Sequence, residues 1–171
     1  MLTSHGAFAE ELGPRVLDVY AGSGALAFEA LSRGARAAVL VESAKAAVAS
    51  IRENARALGV EDQVTVLPTR AERALDDVEG PFDLVLLDPP YAEVRRHGFA
   101  DLLAKAARLL AASGILVVEH ASSDTPPAPP GLVVDRRRRH GDTTLSLYVH
   151  ESAGSTSAGV DAKDEPDDAG Q

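Results

Sequence analysis

Cysteine and tryptophan are absent from the 171 residues, and aromatic side chains make up only 4% of them. Without cysteine there is no disulfide framework, no thiolate nucleophile and no cysteine zinc site, so stability has to come from packing. No apolar run approaches the roughly 18 residues a membrane-spanning helix needs. Residues Met1 to Leu12 carry no basic leader followed by an apolar stretch and a small-residue cleavage site. A cytoplasmic chain that enters no membrane is expected, and a monomer. The five histidines, His5, His97, His120, His140 and His150, are scattered without ligand spacing, so no metal is expected.

What is present fits one globular domain with a real hydrophobic core, since hydrophobic residues make up 45%. The net charge of -9 is unevenly spread: from Glu151 onward six acids stand against Lys163 alone, carrying five of the nine charges. The rest is mildly acidic and holds one concentrated basic run, Arg136 to Arg139. Residues 151–171, rich in Ser, Gly, Ala and Asp with almost no large apolar side chain, read as a disordered acidic tail.

Short β-branched runs alternate with alanine-rich helical stretches, the pattern of β/α units in a mostly parallel sheet with helices on both faces. Strands are predicted at Arg15 to Tyr20, Ala37 to Glu42, Gln63 to Leu67, Phe82 to Leu87 and Ile115 to Glu119. Helices are predicted at Ala25 to Arg33, Lys45 to Leu58, Arg70 to Val78 and Gly98 to Leu110, with Gly34, Gly59 and Gly114 as stops. After the proline-rich stretch Thr125 to Pro130, Leu132 to Arg138 and Thr143 to Val149 read as a terminal hairpin turning at Gly141-Asp142. The domain is expected over residues 13–150, behind a short segment 1–12.

The first strand runs into Asp18-Val19-Tyr20-Ala21-Gly22-Ser23-Gly24 and then a helix. Glycines at 22 and 24 let the backbone turn sharply and approach a ligand, while the helix start presents free N–H groups. Asp18, Tyr20, Ala21, Gly22, Ser23 and Gly24 are therefore candidate cofactor contacts. Glu42 and Ser43 end the second strand, where the carboxylate can accept both ribose hydroxyls. Gly22, Gly24 and Ala27 also fit a dinucleotide fingerprint, so a nicotinamide-dependent dehydrogenase is a rival.

A second motif, Phe82 to Tyr91, is a buried strand that empties into Asp88-Pro89-Pro90-Tyr91. Hydride transfer has no use for it. In a doubly wound sheet the fourth strand lies beside the first, so Asp88 should open onto the same cleft as Gly22. An exocyclic amine on a base is a poor nucleophile because its lone pair is delocalised, and attack on a sulfonium methyl requires the nitrogen to become pyramidal. The Asp88 carboxylate and the Pro89 carbonyl could hold its two N–H bonds, on a turn that the prolines lock. Tyr91 would stack on the extruded base. DNA adenine N6 and an RNA amine are equally served by this chemistry.

On these motifs, and on VLVES (39–43), VVEH closing strand five and HGDTTLSLY (140–148), the chain resembles the bacterial 16S ribosomal RNA guanine-N2 methyltransferases of the RsmD type over about residues 12 to 150. The resemblance implies a class I, Rossmann-like fold of seven strands with an antiparallel last strand. It implies S-adenosyl-L-methionine as methyl donor and guanine N2 of 16S ribosomal RNA, or of a small-subunit assembly intermediate, as acceptor. The family places a basic hairpin and helix ahead of residue 12, so an upstream coding start or a shortened form is expected, with a non-catalytic cofactor-binding module as a further alternative. Where many class I enzymes carry an acid near the adenine this chain has Arg70, which leaves the backbone around Ala71 and nearby Glu72 as adenine contacts. Arg95 and Arg96, beyond Tyr91, are candidate RNA contacts. So are Arg136 and Arg138, since only alternate residues of that run share a face.

Overall fold

A computed structural model describes residues 13–151. The expected segment 1–12 and the acidic tail beyond Glu151 lie outside the described residues. The elements run β1 Arg15–Val19, α1 Ala25–Ser32, β2 Ala37–Val41, α2 Lys45–Leu58, β3 Val64–Leu67, α3 Ala71–Asp77, β4 Phe82–Leu87, α4 Tyr91–Val94, α5 Phe99–Arg108, β5 Leu110–Ala121, β6 Leu132–His140 and β7 Thr143–His150.

Seven strands form one sheet in the order β3-β2-β1-β4-β5-β7-β6. The first five are mutually parallel, and β7 pairs antiparallel with both β5 and β6. This is the expected class I arrangement. Each central strand is buried on both faces, because its alternate side chains feed two separate apolar clusters. Leu17, Val19, Val85, Leu87, Leu116, Val118 and Tyr148 pack with α3 and α5. Val16, Ala38 and Leu40 pack with Ala27 and Leu31 of α1 and Ile51 of α2. Helix α2 shows why the pattern works: Val48, Ile51 and Ala55 recur on one stripe, and Gly59 closes the helix in the left-handed region at φ 68°.

The chain reverses order at β1, which is flanked by β2 and β4 with Val19 opposite both Val41 and Leu87. The C-terminal ends of these strands therefore share one edge, and a cleft opens there. The β6–β7 turn forms at Gly141, φ 61°, and Asp142, as the hairpin reading requires.

Several boundaries differ from those read in the sequence. Residues Glu61–Gln63 form a 3-10 turn ahead of β3, and β6 continues to His140. The single-turn helix α4 follows directly from Pro90. Gly114 stops no helix: α5 ends at Arg108, and β5 begins at Leu110 rather than Ile115. Pairing slips between Phe82↔Leu110 and Leu84↔Ile115, a bulge that places Gly114 against the neighbouring strand. A Cβ at position 114 would lie 2.9 Å from the Phe82 carbonyl oxygen and from the Leu110 side chain. Gly114→Ala is expected to cost about 1–3 kcal/mol by overpacking a backbone that cannot withdraw, seen as a lower midpoint in denaturant.

Candidate functional site

The loop after β1 is built on left-handed residues at alternate positions: Tyr20 at φ 68°, Gly22 at 56° and Gly24 at 83°. Tyr20 is the one non-glycine with positive φ among the described residues, a conformation that costs roughly 1–2 kcal/mol. It keeps a side chain there because that side chain walls the cleft. The two glycines serve different ends. Gly24 is left-handed, which alone favours glycine, and a Cβ there would also crowd the side chains of Phe28 at 2.6 Å and Leu40 at 2.8 Å where α1 packs on β2. A Cβ on Gly22 would meet nothing within 4 Å, leaving an open cradle beside the loop.

Glu42 ties the loop to the second strand. Its Oε2 accepts the Gly22 N–H at 2.9 Å and its Oε1 the Ala44 N–H at 2.8 Å. Both oxygens keep a lone pair for a further donor. Asn54 of α2 donates to the Ser23 carbonyl at 3.1 Å and braces the loop from below.

Asp18 lies beneath the loop with 1% exposure. Its Oδ2 accepts the Ala27 N–H at 3.2 Å, while Oδ1 is buried without a partner among the described residues. Burial pushes its carboxyl up from the ordinary 3.8 to about 7, opposed by the Ala27 hydrogen bond and reinforced by the charges of Asp88 and Glu42.

A cavity of about 660 Å³ opens at the carboxyl edge of the sheet. Tyr20, Glu42 and Ser43 form one wall, Thr69 to Glu72 between β3 and α3 the second, and Asp88 to Tyr91 with Glu119 the third. Five carboxylates line it, Glu42, Glu72, Asp88, Glu93 and Glu119, against the guanidinium groups of Arg70 and Arg96 alone. Arg96 is held by Glu93 at 2.8 Å. The cleft therefore favours a cation and disfavours a pyrophosphate.

The rigid corner after β4 lines the same cavity as Tyr20, at the start of the loop, and Glu42, which braces it. The Asp88 N–H points to the Val19 carbonyl at 3.4 Å, fastening the corner to β1. Pro89 is buried, and Pro90 at φ -52°, ψ 139° starts α4. Burial raises the Asp88 carboxyl, and burial together with the Asp88 charge raises that of Glu119. Tyr91 keeps 48% exposure while its hydroxyl lies 3.1 Å from that of Thr143, at the start of β7. The ring is thus presented to the cleft mouth and fixed at its far end.

Of the residues singled out from the sequence, Tyr20, Glu42, Ser43, Ala71, Glu72, Asp88, Pro89, Pro90, Tyr91 and Arg96 line one cavity. Ala21, Gly22, Ser23 and Gly24 form the adjoining loop, and Asp18 supports it. Arg95 lies apart, paired with Asp124 at 3.1 Å. Arg136 and Arg138 stand exposed on the edge strand β6, opposite Leu147 and Leu145. Sequence reasoning missed Thr69, Glu93, Glu119, Thr143 and Asn54, whose positions follow from the strand order. The VVEH and HGDTTLSLY stretches were the available signal for Glu119 and Thr143.

The buried Asp18 makes stability depend on pH. Its folded pKa exceeds its unfolded value, so its stabilising contribution is complete below about 3.8 and is lost as pH rises through about 7. The melting temperature of the unliganded protein should fall across that window. Asp18→Asn should flatten the fall, as thermal scans at successive pH values would reveal.

The family described as conserved hypothetical protein 95 matches residues 6–149 of this chain. Ribosomal RNA small subunit methyltransferase D of Escherichia coli K12 is 30% identical over 142 residues, 83% of this chain and 71% of that protein. YlbH of Bacillus subtilis strain 168, named a candidate rRNA methyltransferase, is 34% identical over 140 residues, 80% of this chain and 76% of the relative. A solved Streptococcus pyogenes structure, described as a conserved hypothetical protein, superposes with a TM-score of 0.75 at 39% identity, covering 82% of this chain and 88% of that one. The chain belongs to the conserved hypothetical protein 95 family, a family of class I methyltransferases of the RsmD type.

Proposed function

We propose that the chain transfers a methyl group from S-adenosyl-L-methionine to the N2 amino group of a guanine in 16S ribosomal RNA, free or within a small-subunit assembly intermediate. The carrying observation is that Tyr20 at the start of the glycine loop, Glu42 that braces the loop and the Asp88–Tyr91 corner line a single acidic cavity. The names of the relatives support ribosomal RNA as the substrate class.

The residues present fit the donor. S-adenosylmethionine supplies an electrophilic methyl group on a positively charged sulfur. Five carboxylates against two arginines complement such a cation, and they would repel the pyrophosphate of a nicotinamide dinucleotide. Glu42 would accept the ribose hydroxyls with its remaining lone pairs. The open cradle at Gly22 would admit the ligand close to the backbone. The turn from Thr69 to Glu72 would bound the adenine, with Ala71 contributing backbone rather than charge.

On the acceptor side, the Asp88 carboxylate and the Pro89 carbonyl would each take one N–H of the amine and orient its lone pair. Positive charge developing on that nitrogen would be offset by Asp88, which the prolines hold in place without reorganisation. The Tyr91 ring, pinned through Thr143, would stack on the extruded base at a cost of only a few kcal/mol for extrusion. Arg136 and Arg138 would follow the phosphate backbone, since neither has a carboxylate partner among the described residues, whereas Arg95 and Arg96 are each already paired.

Two sets of variants separate these roles. Asp88→Ala should lower kcat about 100- to 1,000-fold with donor affinity nearly unchanged, while Gly22→Val should weaken donor binding about tenfold or more through left-handed strain and a filled cradle. Calorimetry with the donor and methyl transfer to ribosomal particles measure the two effects; wild-type turnover by Asp88→Ala would exclude the acceptor role. Replacing Arg136 and Arg138 with Gln should reduce the slope of log affinity for RNA against log salt by about two, read from binding titrations across a salt series.

A further inference from the structure

Glu119 ends the third wall of the cavity, on the far side of Asp88 from Glu42. Leu87 is level with Val118 across the β4–β5 pair, so Asp88 and Glu119 follow side by side at the ends of adjacent parallel strands, about 5 Å apart at the backbone. The two carboxylates nearest the amine site are therefore Asp88 and this one.

Of the cleft carboxylates without a partner among the described residues, Glu72, Asp88 and Glu119, only Glu119 is not exposed. Glu42 is engaged by two backbone amides and Glu93 by Arg96. Glu119 has no hydrogen-bond or ion-pair partner among the described residues, although it is only partly exposed. An ionised carboxylate can only accept hydrogen bonds, and one left partly desolvated without a donor is costly. Its backbone is fixed. His120, on the opposite face, donates from Nδ1 to the Ala121 carbonyl at 2.8 Å, and its Nε2 lies 2.8 Å from the Ser146 hydroxyl.

The chemistry of the bases says what donor would suit it. Adenine, cytosine and guanine all carry an exocyclic amine. Only in guanine is that amine flanked by a ring N–H, at N1; in adenine and cytosine the corresponding ring nitrogens present lone pairs. Glu119 is the carboxylate beside Asp88 that the ring edge next to such an amine would meet. A carboxylate there accepts from guanine N1 and opposes the lone pair of adenine or cytosine. The sheet register adds a phosphate contact at a suitable reach: Glu119 is level with Leu145, and Leu145 with Arg138, in one cross-strand row. Two strand spacings separate Glu119 from Arg138, about 10 Å.

We propose that Glu119 is the specificity residue that selects guanine, by accepting its N1–H while Asp88 and Pro89 hold the adjacent amine. The assignment rests on the amino-methyltransferase function proposed above and names the group that chooses among bases bearing an amine.

The test compares the wild-type chain with Glu119→Gln and Glu119→Asp, using labelled S-adenosylmethionine and small ribosomal subunits from cells lacking this protein, with mass analysis of the released nucleosides. Glu119→Gln should lower kcat/KM for N2-methylguanosine about 100-fold, and Glu119→Asp by less, because a buried donor then meets a misplaced or uncharged partner. Donor affinity by calorimetry should fall far less than kcat/KM for guanine, whereas a role confined to donor binding would lower the two in step. On single-stranded RNA of random sequence, Glu119→Gln should also raise the ratio of N6-methyladenosine to N2-methylguanosine, since a carboxamide can donate to adenine N1. Retention of the wild-type guanine rate by Glu119→Gln, or loss of it only in step with donor binding, would overturn the assignment. A wild-type chain that forms no methylated guanine would instead refute the underlying function.

Discussion

The parallel register of β1 with both of its neighbours is the constraint on which the rest depends. Because Val19 is level with Val41 on one side and Leu87 on the other, three strands deliver their next residues to the same edge. Tyr20, Glu42 and Asp88 then meet without any of the three having been close in sequence. The hydrogen bonds from Gly22 and Ala44 to Glu42 lock two of those ends together, and the diproline turn stiffens the third. A site assembled this way is held by the sheet itself, so its groups are preorganised before any ligand arrives.

Electrostatics then decide what such an edge can hold. The same strand–turn–helix geometry elsewhere cradles phosphates at a helix N-terminus. Here the cavity is ringed by acids, and a further carboxyl, Asp18, is buried beneath the loop and pushed up to about 7. Gathering carboxylates in one place costs stability, and a ligand carrying positive charge or many donors would offset that cost. A sulfonium donor and an amine-bearing base, as proposed, would meet that requirement together. The electrostatics of the cleft and the chemistry of the proposed reaction are thus mutually consistent.

Much of this was legible in the sequence, for identifiable reasons. Strand runs of Val, Leu and Ile buried on both faces, and helices closed by glycine as α2 is by Gly59, are local signals that survive into the fold. The Gly22 loop and the Asp88–Tyr91 corner were found because glycine and proline limit the backbone directly. Other features depended on contacts between distant segments. Gly114 looked like a helix stop, yet it serves a bulge against Phe82 that only the β4–β5 pairing creates. Gly24, a candidate cofactor contact, also sits where a side chain would crowd Phe28 and Leu40, which only the packing of α1 on β2 reveals. Glu119 became visible as a cleft residue, and Thr143 as the partner of Tyr91, only once β5 was seen beside β4 and β7 to start beside the end of β5. The left-handed Tyr20 had no compositional signal, since tyrosine rarely takes that conformation.

The central claim is that one acidic cavity holds the methyl donor between Glu42 and the diproline corner. A crystal structure of the chain soaked with S-adenosylmethionine addresses it most directly. The account predicts ligand density in that cavity, with the ribose hydroxyls on the Glu42 carboxylate and the sulfur facing Asp88 across from Tyr20. Density elsewhere on the molecule, or a donor bound with Glu42 untouched and its sulfur turned away from Asp88, would contradict it.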